Sequence, residues 1–175
     1  MAKLRKMLGA ADSTYILSLM KAIETQSNET IANWCIEYAE KSILYIYEKY
    51  YPEDNRLQNA LNGARECVSV KIKVPELKKL VSEVRNAAKE ADKKPAAQAA
   101  ARTVAQAAGS FYTPTHSLGL VFYGAAAIAY DRVGLDEKAE VYEIIAAEEC
   151  AKMEAALRAI SVKNEPNPAK ISWYC

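Results

Sequence analysis

Residues 115–134 read THSLGLVFYGAAAIAYDRVG, and this stretch decides the fold. From Leu118 to Tyr130 thirteen consecutive residues carry no charge. A helix that is apolar on every side is either buried or membrane-spanning, and thirteen residues fall short of the roughly 20 that a bilayer demands. The pattern therefore predicts a helix over 116–133 at the centre of a protein core. Thr115 can cap its start, Gly134 stops its end, and Gly119, Gly124 and the alanines let neighbours approach closely.

Outward from that helix, helical spacing repeats in both directions. Eight of the thirteen residues from Ala96 to Ala108 are alanine, which favours a packing helix with small side chains. Before it, Pro75 suits the first turn of a helix bearing Leu77, Val81, Val84 and Ala88, and Lys93-Lys94-Pro95 ends that helix. Asp54 or Asn55 can cap another, running to about Val70 with Leu57, Ala60, Leu61 and Ala64 on one face. A long helix from Ser27 or Asn28 to Tyr50 would bury Ile31, Trp34, Cys35, Tyr38, Tyr45 and Ile46, leaving Glu37, Glu40, Lys41, Leu44 and Glu48 on the charged side. A first helix begins near Asp12 or Ser13 and ends near Gln26; a last one runs from a cap at Asp136 to Ile160. Residues 161–175 form a tail that Trp173 would dock. The fold predicted is all-α: one domain over 1–175, a compact bundle of about seven helices, with 29–50 and 137–160 packed around 116–133.

Composition agrees with that fold and removes whole classes of function. The chain has 175 residues, 51% of them hydrophobic and 26% charged, with a mean hydropathy of -0.18, values of a globular protein rather than a disordered one. Its 23 basic and 22 acidic residues leave a net charge of +1, which suggests neither a nucleic-acid-coating protein nor an acidic nucleic-acid mimic. Cys35, Cys67, Cys150 and Cys175 form no Cys-x-x-Cys pair, so reduced, buried thiols are expected rather than a zinc site. The basic start Met1–Gly9 lacks the apolar stretch of a secretion signal, and a cytoplasmic location is expected. No phosphate-binding glycine loop, His-Glu-x-x-His pair or Gly-x-Ser-x-Gly elbow occurs. With one histidine in the chain, no site needing two can form. No catalytic residue, cofactor or metal is expected.

A few residues invite closer attention. His116 stands in the first turn of the most apolar helix, where the positive helix end disfavours an imidazolium, so a buried, neutral ring hydrogen-bonded outside its own helix is expected. Glu149 is flanked at helical spacing by Tyr142, Ile145, Met153 and Ala156; it should face inward and find a partner in His116, Arg56 or Arg102. The segment Tyr45–Pro52 holds four tyrosines, and Leu44, Tyr47, Tyr50 and Tyr51 form a candidate protein interface, although core packing of the tyrosines is the plainer reading. Charge is uneven: residues 76–102 hold seven basic and four acidic groups, whereas 131–158 hold eight acidic and four basic. An acidic strip on the last helix can be a solvated face or can steer a basic partner.

Trp34 with Tyr38-Ala39-Glu40, then Pro52-x-Asp54-x-Arg56 opening a helix with Ala60 and Ala64, then alanine-rich helices, then Thr115 ahead of a small-residue helix starting at His116, make up a recognisable order. Over roughly 28–134 it resembles the immunity proteins of bacterial toxin systems that have the immunity-five-like all-helical domain. The resemblance implies a protein that binds and neutralises a cognate toxin in the cytoplasm, without catalysis and without nucleic acid or membrane as partner. A non-enzymatic helical scaffold, or a module holding a small ligand in the Ala/Gly-lined centre, is the alternative. On either reading Pro52, Asp54 and Arg56 are expected to be structural, with Asp54 capping its helix and Arg56 reaching a neighbouring one.

Overall fold

The computed structural model describes residues 4–173; Cys175 and the last residues of the tail lie outside the described part. All the regular structure of the described residues is helical, with no strand. Its α-helices are α1 (Thr14–Glu24), α2 (Asn28–Ser42), α3 (Leu44–Glu48), α4 (Arg56–Val68), α5 (Val74–Glu90), α6 (Pro95–Gly109), α7 (Ser117–Val133) and α8 (Ala139–Ile160), and a 3-10 turn spans Pro114–His116. Seven of these are long, as the periodicity predicts; α3 is a five-residue piece.

The boundaries follow from local chemistry. Ser27 Oγ accepts the Thr30 N–H at 3.2 Å and so caps α2. The Glu76 carboxylate turns back to accept the Lys73 N–H at 3.2 Å at the start of α5. Gly134 ends α7 at φ +78°, where a side chain would be strained, and its N–H reaches Tyr130 O at 3.1 Å. Helix α4 stops at Val68, two residues short of the expected end, because Val70 turns into the left-handed region at φ 60° while the Lys71 N–H bonds Glu66 O at 2.7 Å.

Three expectations change. The helix expected over 28–50 breaks at Ile43 (φ -122°), and the break rotates the chain that follows. Leu44 would lie beside Glu40, Lys41 and Glu48 on an unbroken helix; beyond the break it points into the core. Thr115 belongs to the 3-10 turn and makes no side-chain cap, and α7 begins two residues later. The last helix starts at Ala139 rather than beside Asp136.

The centre is a pair of helices. Eleven of the fifteen residues of α6 are buried, and α6 touches α2, α3, α4, α5 and α7. α7 packs along it and carries the core onward to α8, with α2 against both. The pair comes close at Gly119, where an added Cβ would fall 2.4 Å from Gln106 Cγ of α6; on the other side Gly124 makes room for α8, an added Cβ there falling 3.0 Å from Met153 Cε. Side chains of Gln106 and Met153 therefore occupy the space beside these two glycines. The tail returns to the end of α1, where buried Gln26 bonds both backbone groups of Val162 (2.9 and 3.2 Å), Gln26 O accepts the Ala169 N–H at 2.7 Å, and Trp173 Nε1 donates to Glu24. No described helix is long and apolar enough to cross a membrane.

Candidate functional site

Proline cannot continue a helix, and the turn at Pro52 reverses the chain so that Asp54 faces back toward α3. Its carboxylate accepts the Tyr47 O–H at 2.6 Å, the backbone N–H of Arg56 at 3.1 Å, and the Arg56 guanidinium at 2.7 Å from Nη2. Arg56 also donates to Glu90, in the last turn of α5, at 3.1 and 2.6 Å. These four residues tie α3, α4 and α5 together. Hydrogen bonding from Arg56 holds the Asp54 carboxyl down at about 2, although burial alone would raise it. Burial, then the bond to Asp54, pushes the Tyr47 phenol well up.

This joint absorbs part of the tyrosine cluster. Tyr47 and Leu44 are buried, so neither can serve as an interface residue; the Ile43 break is the reason for both. Tyr51 is half-buried and stacked on Tyr47 at 4.9 Å. Tyr50 is exposed, with Lys94 Nζ 5.5 Å from its ring centre, and Tyr45 is exposed beside Lys49 in the same way at 4.9 Å.

Trp34 is buried in α2 and donates its Nε1–H to Met153 O of α8 at 2.9 Å. Glu149 faces inward as its neighbours predict, but its partners are Arg132 and Lys152, both at 2.8 Å, rather than His116, Arg56 or Arg102. Arg132 lies at the end of the adjoining α7 and Lys152 one turn along α8, so the nearest cations take the carboxylate. Burial, then the charge of Glu149, drives the Tyr38 phenol up to about 12.

His116 departs from expectation in its bonding. It is half-buried at the end of the 3-10 turn, set edge-on to Tyr112, and its Nδ1 has no hydrogen-bond partner among the described residues. Nδ1 lies against Gly109, where an added Cβ would fall 2.8 Å away. Burial, then the positive charge of Arg85, lowers its pKa, so the ring is neutral at pH 7. Cys35, Cys67 and Cys150 are free and buried, and burial pushes Cys35 and Cys150 up to about 12. Among the described residues no group of acidic, His and Cys side chains could hold a metal.

The two charged regions are used in opposite ways. On the acidic side Asp131 pairs with Lys49, Glu143 with Arg5, Glu148 and Glu149 with Arg132, and Glu154 with Arg158. Among the described residues, none of the seven cations of 76–102 enters an ion pair. Three of them, Arg85, Lys89 and Arg102, line a surface cavity of about 330 Å³ between α5 and α6, together with Gln98, Gln106 and Tyr123.

Over residues 21–156 the sequence matches the protein family described as "Imm-5 like putative immunity protein". The chain belongs to the Imm-5-like immunity family. The family match is wider than the 28–134 of the resemblance, reaching back into α1 and forward into α8, so the tie from Trp34 to Met153 and the Glu149 cluster fall inside the Imm-5-like region. No curated protein and no solved structure matches the chain. The cation-lined cavity of this Imm-5-like protein is what sequence reasoning missed. The excess of basic residues in 76–102 was the available signal, and the spacing of Arg85 with Lys89 and of Gln98 with Arg102 and Gln106 was the means to localise it.

Proposed function

We propose that this Imm-5-like chain binds a cognate protein toxin and neutralises it by protein–protein contact, with no catalysis of its own. The observation that carries the reading is the family match over 21–156, which takes in α2 to α7 whole. The use of the polar side chains supports it. Tyr47, Asp54, Arg56 and Glu90 bond one another, Glu149 is held by Arg132 and Lys152, and Trp34 is held by a backbone carbonyl, so these groups stiffen a scaffold. A stiff scaffold suits a binding protein, because little ordering entropy is then lost on association. Tyr50, an exposed ring beside Lys94, is the member of the tyrosine cluster best placed to meet a partner. On this reading the protein works in the cytoplasm, and its target is the toxin rather than a nucleic acid or a membrane.

The test is expression of the candidate toxins encoded beside the gene, each alone and together with this chain. Growth arrest by one of them, relieved by the chain and accompanied by a complex on size-exclusion chromatography, is expected. Arrest that the chain leaves untouched, with no complex formed, would contradict the reading.

A further inference from the structure

Arg102 is the only charged residue in α6, a helix otherwise built of alanine, valine and small polar groups. It is half-buried, and among the described residues its guanidinium has neither an ion-pair partner nor a hydrogen bond. A partly dehydrated cation without an anion is unfavourable, and here two more cations face the same space. Arg85 and Lys89 stand one turn apart on α5, and Gln98, Arg102 and Gln106 stand at successive turns on α6. The floor between the rows is Ala88 and Ala105, small enough to leave room above them.

The carboxylates of α5 do not relieve this charge. Glu76, Glu83 and Glu90 recur every seven residues, on the stripe of the helix opposite Arg85 and Lys89. Glu76 is turned to the Lys73 N–H, and Glu90 is held by Arg56. The positive cavity is thus a built feature of the packing, and its complement is a carboxylate-bearing group. The polar row of α6 continues one turn back to Lys94, which covers the exposed ring of Tyr50. Arg85, Arg102 and Tyr123 line the cavity together, and arginine and tyrosine are residues that protein interfaces favour. A nucleic acid would instead call for a longer track of phosphate contacts than three cations around about 330 Å³ provide.

We propose that the α5–α6 groove receives an acidic segment of the partner toxin, whose Asp or Glu carboxylates pair with Arg85, Lys89 and Arg102. This rests on the toxin-binding reading above. An arginine fork donates two parallel N–H bonds to a carboxylate, so Arg85 and Arg102 set the geometry and Lys89 adds charge.

The experiment compares the affinity of the full chain for the neutralised toxin with that of R85Q/R102Q, by calorimetry at two salt concentrations. The double variant is expected to bind at least about tenfold more weakly, with a shallower salt dependence. R85K/R102K, which keeps both charges but not the forks, is expected to recover the salt dependence and part of the affinity, and K21Q/K163Q, which removes two exposed cations elsewhere, to bind like the parent. Unchanged affinity in R85Q/R102Q, while the parent chain binds, would overturn this proposal and leave toxin binding standing. Failure of the parent chain to bind would remove both. Binding of a single-stranded oligonucleotide probe that R85Q/R102Q loses, with toxin affinity unaltered, would overturn it in favour of nucleic acid.

Discussion

The two charged faces of this protein have opposite fates. Along α8 and the end of α7, carboxylates are met by cations brought from other parts of the chain: Arg5 reaches Glu143 and Lys49 reaches Asp131. Along α5 and α6 the cations are left to solvent, and α5's first and last carboxylates are drawn away to a helix start and to Arg56. An excess of charge in a sequence therefore says little about where the molecule is electrostatically open. What decides it is which charges the packing has already used.

That contrast predicts that changes on the closed side cost stability, whereas changes in the open groove cost binding alone. The largest effect belongs to Trp34→Ala, which empties a core site between α2 and α8 and leaves Met153 O without its side-chain donor; a loss of about 3–5 kcal/mol in denaturant unfolding is expected. A loss under about 1 kcal/mol would mean that α8 is not anchored through Trp34. Next is Asp54→Ala, which strips Tyr47, Arg56 and the first N–H of α4 of a common acceptor and should cost about 2 kcal/mol. Its pH dependence has a definite sign. The folded carboxyl titrates near 2 against an ordinary 3.8, so its contribution is complete above pH 3.8 and fades as the pH falls toward 2. Thermal melts of the parent chain should lose stability across that window more steeply than those of Asp54→Ala; parallel curves would show that the carboxylate is not held by Arg56.

A smaller cost, about 1–2 kcal/mol, is expected for Glu149→Ala: the lost carboxylate is buried, but its partners Arg132 and Lys152 are exposed enough to rehydrate. The smallest belongs to R85Q/R102Q, whose unfolding free energy should match the parent's within about 0.5 kcal/mol, since among the described residues neither arginine enters an ion pair. A destabilisation as large as that of Glu149→Ala would erase the distinction between the two faces.

Much of the fold was legible because its signals are local. The uncharged run 118–130, the prolines at 75 and 95 and the glycine at 134 each act on the backbone where they stand. The break at Ile43 was not legible, because Ile43-Leu44 continues a helical pattern without proline or glycine, and the break moved Leu44 and Tyr47 out of the candidate interface. The inward turn of Glu149 could be read from its neighbours at four and seven residues. Its partner could not, since Arg132 reaches it across the turn between two helices. For His116 the neutral state follows from the apolar helix start, but the missing bond is a matter of tertiary packing, where the ring lies against Gly109 and Tyr112. The open groove lay furthest from view, because it depends on how α5 and α6 pack side by side, which sets Arg85 and Lys89 beside Arg102.

Lysine footprinting of the full chain, free and with the neutralised toxin, tests the account most directly. Acylation of Lys89, at the groove, and Lys94, beside Tyr50, is predicted to slow on binding, while that of Lys138 and Lys163, on the far loops, continues at the free rate. Protection confined to Lys138, Lys152 and Lys163, with Lys89 and Lys94 still reactive in the complex, would contradict it.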